Sequence, residues 1–249
     1  MTHFSLKAIC DSFIAFPCPL CKKVSENNLN NGLCDDCKKL LCKIALPYCH
    51  GCGGTNKGFL AVCEKCIKGL DRPWNKIIAV YEYDYLAGKM LRNLKYNDSP
   101  HLIKGLMPHA IERINEEQLD IDVIIPIPLH FSRLLWRGFN QSELIARELL
   151  FSLKKTKYKK CQQIKIISLL KRKSRTKVQM TLDKEQRLEN VQNVFDIKKG
   201  FLQKSKFSKD SNILLVDDVL TTGATLKFAT EILRKSGFKN INVLVLARR

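Results

Sequence analysis

The sequence predicts an α/β fold, with a doubly wound, mostly parallel sheet and a small N-terminal zinc-binding module. Two observations support this prediction. Beyond residue 73, short apolar runs typical of buried strands alternate with longer segments of helical periodicity. Before residue 73, four Cys-x-x-Cys pairs stand in a segment with little periodicity. We therefore divide the chain into a cysteine-rich zinc-ribbon module, 1–73, and an α/β domain, 74–249, with a basic hood or flap at about 151–210.

Each predicted element has its own signal. Strands are expected where apolar runs end at turn residues, and helices where apolar residues recur at helical spacing. The predicted strands are 77–83, 121–125, 164–169, 213–216 and 241–247. The predicted helices are 86–96, 102–118, 140–153 and 225–235. Pro108 should kink or divide the second helix, Asn140 or Ser142 should cap the third, and Gly237 suits the end of the last.

The charge of the chain is strongly basic. The formal net charge is +19, and residues 151–210 contain 18 Lys or Arg against five Asp or Glu. This excess favours a polyanionic partner, although a lysine-rich surface can also be merely solvated. No apolar run approaches the roughly 18 residues of a membrane helix, and no export signal is evident. We therefore expect a cytoplasmic protein without membrane insertion.

Ten of the 11 cysteines precede residue 70. A Cys-x-x-Cys turn places two thiolates on one metal ion, and two such turns complete the tetrahedron that zinc prefers. The pattern therefore predicts one or two structural Zn²⁺ ions, paired either sequentially or by interleaving. A redox role is the alternative, but four regularly spaced copies argue against it. The expected zinc ligands are Cys18, Cys21, Cys34, Cys37, Cys49, Cys52, Cys63 and Cys66, and Cys10, Cys42 and Cys161 are expected to be free thiols.

The most specific motif is the segment 213–225, in which an apolar strand leads into two carboxylates, hydroxyl residues around a glycine, and a helix. Gly223 lets the backbone curl closely around a ligand, and N–H groups at the start of the helix favour an anion. Asp217 and Asp218 would repel phosphate but can accept hydrogen bonds from a ribose diol. The motif therefore predicts a sugar-phosphate site. The plainer alternative is a surface turn in which Asp218 only caps the helix.

A second polar turn follows the predicted strand 121–125. Ligands of doubly wound sheets bind beyond the carboxyl ends of the strands, so this turn and the Asp-Asp loop could face one crevice. Its arginines and the helix that starts near residue 140 would suit a pyrophosphate group. The alternative is that the histidine is structural and the arginines are solvated. The candidates for pyrophosphate contact are His130, Arg133, Arg137, Asn140 and Gln141.

The segment 213–225 resembles the loop with which type I phosphoribosyltransferases bind phosphoribosyl pyrophosphate (PRPP). The resemblance implies that the two acids hold the ribose hydroxyls of PRPP and that the following residues bind its 5-phosphate. It also implies Mg²⁺ on the pyrophosphate, held by ligand oxygens and water with few protein ligands. By this resemblance, the PRPP-binding residues are Asp217, Asp218, Val219, Leu220, Thr221, Thr222, Gly223, Ala224 and Thr225.

The whole layout resembles the ComF competence family. That family combines a cysteine module, a Pro-x-Pro-Leu-His turn, Arg-Gly-Phe-Asn-Gln, a Thr-x-x-Gln segment and a C-terminal PRPP loop, and the same order occurs here. Val178 stands where the family usually has proline. The segment 171–190 is either a flap that closes over PRPP and excludes water or an exposed basic helix. Its candidate residues are Thr176, Gln179, Arg187 and Asn190.

The ComF resemblance implies a PRPP-binding protein that acts in natural competence, DNA uptake or the use of incoming DNA. Single-stranded DNA and the competence helicase or a recombination mediator would be its partners. We expect phosphoribosyl transfer to an acceptor that neither the sequence nor the resemblance identifies. The alternative is a non-catalytic, PRPP-responsive scaffold that binds single-stranded DNA for the competence helicase.

Overall fold

A computed structural model describes residues 17–24, 33–69, 72–96, 101–156, 158, 162–172, 194–198 and 208–249. The strands are β1 (Ile77–Glu82), β2 (Val123–Pro126), β3 (Lys165–Ile166), β4 (Leu170–Arg172), β5 (Phe195–Ile197), β6 (Asn212–Leu220) and β7 (Asn240–Arg248). Five of them form one sheet in the order β1-β7-β6-β2-β3, in which every neighbouring pair is parallel. The strands β4 and β5 form a separate antiparallel pair. The prediction of a mostly parallel α/β sheet is confirmed.

The described helices are α1 (Asp35–Leu40), α2 (Glu64–Ile67), α3 (Tyr85–Tyr96), α4 (His101–Glu116), α5 (Phe131–Arg137), α6 (Gln141–Lys155) and α7 (Ala224–Lys235). The helix α4 is continuous through Pro108, so the proline does not divide it. Asn140 caps α6, as expected, and Gly237 has a φ of 94° just beyond the end of α7. Within the described ranges, no helix has the length and apolar character needed to cross a bilayer.

The sheet is covered on both faces. Alternate residues of β6 point in opposite directions, as the strand repeat requires. Leu214 packs in one core with Leu149 of α6 and with residues of α3 and α4, whereas Leu215 packs in a second core with Leu233 of α7. This arrangement explains why β6 begins as a run without a polar face.

The N-terminal cysteine segment lies along β1, which is the outermost strand on its side of the sheet. The N–H of Ile44 donates to the carbonyl of Val80 at 3.1 Å, and the N–H of Glu82 donates to the carbonyl of Cys42 at 2.9 Å. These bonds give partners to backbone groups that an edge strand would otherwise leave exposed. The cysteine segment therefore completes the sheet edge as well as carrying its thiols.

Candidate functional site

The two aspartates lie where β6 loses one of its neighbours. The strand β2 ends at Pro126, which is opposite Val216, whereas the pairing of β6 with β7 continues to Leu220. Asp217 and Asp218 are the first residues of β6 beyond the end of β2. The expected strand end at residue 216 was therefore too early. The acids belong to the strand, which holds their backbone in place at the carboxyl edge, where doubly wound sheets bind ligands.

Asp217 is held from two sides. Its Oδ1 accepts a hydrogen bond from Ser142 Oγ at 2.9 Å and another from the N–H of Asp218 at 2.9 Å. Ser142 is buried in the first turn of α6. Burial, and then the negative charge of Asp218, raise the pKa of the Asp217 carboxyl to about 7. This carboxyl can therefore be protonated or ionised near neutral pH.

Asp218 forms an ion pair with a helix that the motif analysis had not connected with this site. Lys95 Nζ, in the last turn of α3, lies 2.7 Å from Asp218 Oδ2, and the two side chains are only 24% and 14% exposed. The lysine therefore places a cation beside Asp218. Its sequence signal is weak, because a basic residue in the last turn of a helix is common for electrostatic reasons alone.

The loop after β6 has the backbone conformation that its glycine predicts. Gly223 has a φ of 80° and precedes the first turn of α7. A Cβ at this position would collide with Nη1 of Arg72, which also donates to the carbonyl of Thr222 at 3.3 Å. Arg72 lies over the ring of Trp74, 5.3 Å from its centroid. The loop therefore has a guanidinium group beside it that was not among the predicted site residues.

The predicted loop residues divide into two groups. Leu220 is buried in the core beneath α7, and Val219 packs partly against the opposite core, so their side chains stabilise the fold. Thr221, Thr222 and Ala224 are exposed, and Thr225 is half-buried. Thr222 Oγ1 accepts from the N–H of Ala224 at 3.4 Å. Among the predicted loop residues, the threonine hydroxyls and the backbone N–H groups are therefore the donors available to a phosphate.

The turn after β2 contains both structural and unsatisfied groups. His130 caps α5, because its Nδ1 accepts from the N–H of Ser132 at 3.3 Å. Asn140 uses its amide twice, accepting from the N–H of Ser142 at 3.2 Å and donating to the carbonyl of Ile127 at 2.9 Å. Asn140 is therefore fully engaged in holding the turn together. Within the described ranges, the buried polar atoms of this turn that lack a partner are His130 Nε2, Arg137 Nε and Gln141 Nε2.

The helix α5 is exposed from Phe131 to Trp136 and was not predicted. It contains no buried residue, and its apolar side chains Phe131, Leu135 and Trp136 are each about two-thirds or more exposed. Arg133 lies on this exposed helix. Arg137 donates from Nη2 to the hydroxyl of Tyr96 at 3.1 Å and lies over its ring. Arg137 is therefore held against the end of α3, the helix that carries Lys95.

The candidate flap residues Thr176, Gln179, Arg187 and Asn190 lie outside the described residues, as do Cys10 and Cys161. The hairpin that flanks the flap segment is described. Arg172 of β4 pairs with Phe195 of β5, and Leu170 pairs with Ile197. The segment between these strands therefore begins and ends at adjacent positions.

The eight predicted zinc ligands form two groups, and they are paired sequentially. One group is Cys18, Cys21, Cys34 and Cys37, and the other is Cys49, Cys52, Cys63 and Cys66. Within each group all the sulfur atoms lie within 4.8 Å of one another. Zinc–sulfur bonds of about 2.3 Å imply sulfur–sulfur distances of about 3.8 Å in a tetrahedron. The distances of 3.6 Å from Cys21 to Cys34 and 3.9 Å from Cys52 to Cys63 fit that geometry.

Cys49 is surrounded by donors that suit a thiolate. Its Sγ accepts from the N–H groups of Cys63 at 3.1 Å, Gly51 at 3.3 Å and Cys52 at 3.4 Å. Burial opposes ionisation, but these backbone donors lower the pKa of the Cys49 thiol to about 7. Arg248, near the end of β7, donates to the carbonyl of Cys52 at 2.8 Å. Both cysteine groups can therefore hold a zinc ion, and the second is attached directly to the sheet.

Comparison with known proteins agrees with this geometry. The family described as phosphoribosyl transferase domain matches residues 167–249. The chain is 28% identical over 246 residues to competence protein F of Haemophilus influenzae, covering 95% of this chain and 99% of that protein. It is 28% identical over 211 residues to competence protein ComFC of Bacillus subtilis, covering 82% and 79%. It is 25% identical over 224 residues to the DNA utilization protein YhgH of Escherichia coli K12, covering 87% and 90%. These similarities support the ComF family of competence proteins for this chain, which has a phosphoribosyltransferase-type α/β sheet and two N-terminal groups of four cysteines.

Proposed function

We propose that this protein binds PRPP at the carboxyl edge of β6 and transfers its phosphoribosyl group to an acceptor. The observation that carries the proposal is the arrangement of the diacid. Asp217 and Asp218 stand beyond the end of β2, and a loop that contains Gly223 at a φ of 80° follows them before α7. Carboxylates suit the two ribose hydroxyls, and the loop N–H groups with Arg72 suit the 5-phosphate.

In the proposed reaction, the bond between C1 of the ribose and the pyrophosphate oxygen breaks, and positive charge develops on the ring. Asp217 and Asp218 orient the ribose by accepting hydrogen bonds from its hydroxyls. Lys95 balances the charge of Asp218 before the ligand arrives, which limits the cost of holding two acids together. Lys95 therefore also stabilises the diacid while the site is empty.

The leaving pyrophosphate would meet the turn after β2. His130 Nε2, Arg137 Nε and Gln141 Nε2 are buried there without partners in the described structure, and a ligand with many oxygens would satisfy them. Mg²⁺ would accompany the pyrophosphate and neutralise its charge. It would be held by ligand oxygens and water, since the groups of potential metal ligands found among the described residues are both cysteine.

Calorimetric titration of PRPP with Mg²⁺ tests the binding step. We expect the parent protein to bind and a variant carrying both Asp217→Asn and Asp218→Asn to lose binding while remaining folded. The matched control is Asp210→Asn, which changes an exposed aspartate paired with Lys239 on the surface. Equal binding by the parent and the double variant, or no binding by either folded protein, would reject the diacid as a PRPP site.

We propose, from the relatives named competence and DNA utilization proteins, that this chain acts in the cytoplasm in natural competence or in the use of incoming DNA. We also propose that residues 1–73 form a module that holds structural zinc and that residues 74–249 form a separate domain. The competence helicase or a recombination mediator would be the protein partner. These roles fit an enzyme as well as a scaffold.

A second candidate function is a PRPP-responsive scaffold that binds single-stranded DNA, and one surface favours it. Trp136 is 71% exposed, its ring lies 5.5 Å from that of Tyr96, and Arg137 lies 5.0 Å from the Tyr96 centroid. Exposed aromatic rings beside an arginine can stack bases and contact phosphates. The surface lies next to the proposed pyrophosphate turn, so a ligand there could affect DNA binding.

Fluorescence anisotropy with a labelled single-stranded oligonucleotide tests this second function. Trp136→Ala should weaken binding about tenfold, because one base–aromatic stack is lost. Phe151→Ala is the matched control, since Phe151 is also an exposed aromatic residue but lies on α6. Affinity should fall steeply with added salt if lysines and arginines contact phosphates. Identical affinities for all three proteins would exclude this surface.

A further inference from the structure

A cavity of about 460 Å³ lies at the carboxyl ends of β1 and β7. It is open to solvent, and neither the sequence motifs nor the proposed PRPP contacts account for it. Residues just after β1, the first two turns of α3 and the residue after β7 form its walls. The lining residues are Tyr83, Asp84, Tyr85, Gly88, Arg92 and Arg249.

The cavity adjoins the proposed PRPP site through two elements. The N–H of Arg249 donates to the carbonyl of Leu220 at 2.9 Å, and Leu220 is the last residue of β6 before the phosphate loop. The helix α3 lines the cavity with Arg92 and, three residues later, holds Asp218 with Lys95. Residues three apart on a helix lie on neighbouring positions of one face. The helix α3 therefore contributes residues to both the cavity and the diacid site.

The charged groups of the cavity favour an anion. Arg92 and Arg249 are both exposed, and neither guanidinium takes part in an ion pair recorded within the described structure. Asp84 is the one acid of the lining, and its Oδ1 is engaged in accepting the N–H of Ala87 at 2.7 Å, at the start of α3. The lining therefore carries two guanidinium groups and one aspartate carboxylate, and one oxygen of that carboxylate is engaged in the backbone turn that starts α3. Guanidinium groups recognise planar carboxylates through paired hydrogen bonds.

The aromatic groups of the cavity favour a flat ligand. The ring of Tyr83 stands against Gly88, because a Cβ at Gly88 would lie 3.2 Å from the Tyr83 hydroxyl oxygen. Glycine at this helical position therefore lets the tyrosine ring approach the helix and line the cavity. Tyr85, the first residue of α3, also lines the cavity and is 75% exposed. Aromatic rings bind flat ligands by stacking or by edge-to-face contact.

We propose that this cavity is the acceptor site and that the acceptor is a planar aromatic compound with a carboxylate and a nucleophilic nitrogen. This inference rests on the proposed PRPP transfer. Arg92 and Arg249 would bind the carboxylate, and the tyrosines would contact the ring. The nitrogen lone pair forms the bond to C1 of the ribose as the bond from C1 to the pyrophosphate oxygen breaks. Pyrophosphate leaves with that electron pair, and the nitrogen loses a proton to solvent.

The test uses anthranilate, a fluorescent aromatic carboxylate with an amino group, as the probe. It is titrated into the full-length, zinc-loaded protein with and without PRPP and Mg²⁺, while calorimetry measures PRPP binding separately. We expect anthranilate to bind and aniline, which lacks the carboxylate, to bind at least tenfold more weakly. Arg92→Gln and Arg249→Gln should each weaken anthranilate binding about tenfold or more and leave PRPP affinity unchanged.

Arg147→Gln is the matched control, because Arg147 is exposed on α6 and pairs with Glu143 away from the cavity. It should bind anthranilate as the parent does. If PRPP binds but anthranilate does not, or if Arg92→Gln binds anthranilate normally, the acceptor proposal is wrong while the PRPP proposal stands. If PRPP does not bind, the proposed transfer fails, and anthranilate binding would then assign the cavity to some other purpose.

Discussion

The substitution Asp217→Asn should stabilise the folded protein, and the gain should grow as the pH rises. The Asp217 carboxyl has a pKa of about 7 in the fold, against 3.8 for an unperturbed aspartate, because its half-buried position removes it from water and Asp218 lies beside it. A raised carboxyl pKa means that the fold binds the proton more tightly than the unfolded chain does. The contribution of this carboxyl to the free energy of unfolding is therefore greatest below about pH 4. It decreases as the pH rises from about 4 to about 7 and stays constant at higher pH.

The pKa difference sets an upper limit on the effect. Each pKa unit corresponds to about 1.4 kcal/mol, so about three units correspond to roughly 4 kcal/mol above neutral pH. Asparagine keeps an oxygen that can accept from Ser142 and from the Asp218 N–H, but it cannot ionise. Between pH 5 and pH 8, the stability advantage of Asp217→Asn over the parent should grow by about 2–3 kcal/mol at most.

Urea unfolding at pH 5 and pH 8, with zinc present, measures this difference for the parent, Asp217→Asn and Asp210→Asn. The Asp210 variant makes the same chemical change at an exposed surface ion pair and should show little pH dependence. A stability difference between Asp217→Asn and the parent that is equal at both pH values would refute the reasoning. It would mean that Asp217 is already ionised in the fold at pH 5. The expected gain in stability accompanies a loss of PRPP binding.

Three further predictions concern the loop, the metal groups and the core. Arg72→Gln should weaken PRPP binding about tenfold by calorimetry, because a charged donor beside the phosphate loop is lost; an unchanged affinity would remove Arg72 from the site. Cys49→Ser should lower both the zinc content measured by atomic absorption and the melting temperature, whereas Cys42→Ser, at an exposed cysteine outside both groups, should change neither. Leu149→Ala should cost about 2–5 kcal/mol in urea unfolding, since Leu149 is fully buried, while the folded variant keeps its PRPP affinity; a cost below about 1 kcal/mol would contradict the packing described.

The sequence predicted the features that local chemistry determines. The apolar run of β6, the glycine before α7, the Asn140 cap and the cysteine spacing each carry a short-range signal, and each is found where expected. The structure was needed to show that the Cys-x-x-Cys pairs combine sequentially, because their spacing also allowed interleaved pairing. The extension of β6 through Asp217 depends on a partner strand distant in the chain, so no local pattern could show it.

The missed features depend on tertiary contacts. Lys95 and Arg72 reach the site from segments well before it in the chain, and lysine or arginine near a helix end or linker is common. The helix α5 buries no residue, so it lacks the apolar stripe from which surface helices are recognised. Its apolar residues, including Trp136, are exposed instead.

The second cysteine group is connected to the phosphate loop by a short series of contacts. Trp74 Nε1 donates to the carbonyl of Gly51, inside the Cys49–Cys52 turn, at 2.9 Å. Arg72 lies over the Trp74 ring and donates to the carbonyl of Thr222 in the loop. A metal that fixes this cysteine turn therefore also fixes the tryptophan that supports the arginine. Zinc bound in this group would therefore help to position a guanidinium group beside the loop that we propose binds PRPP.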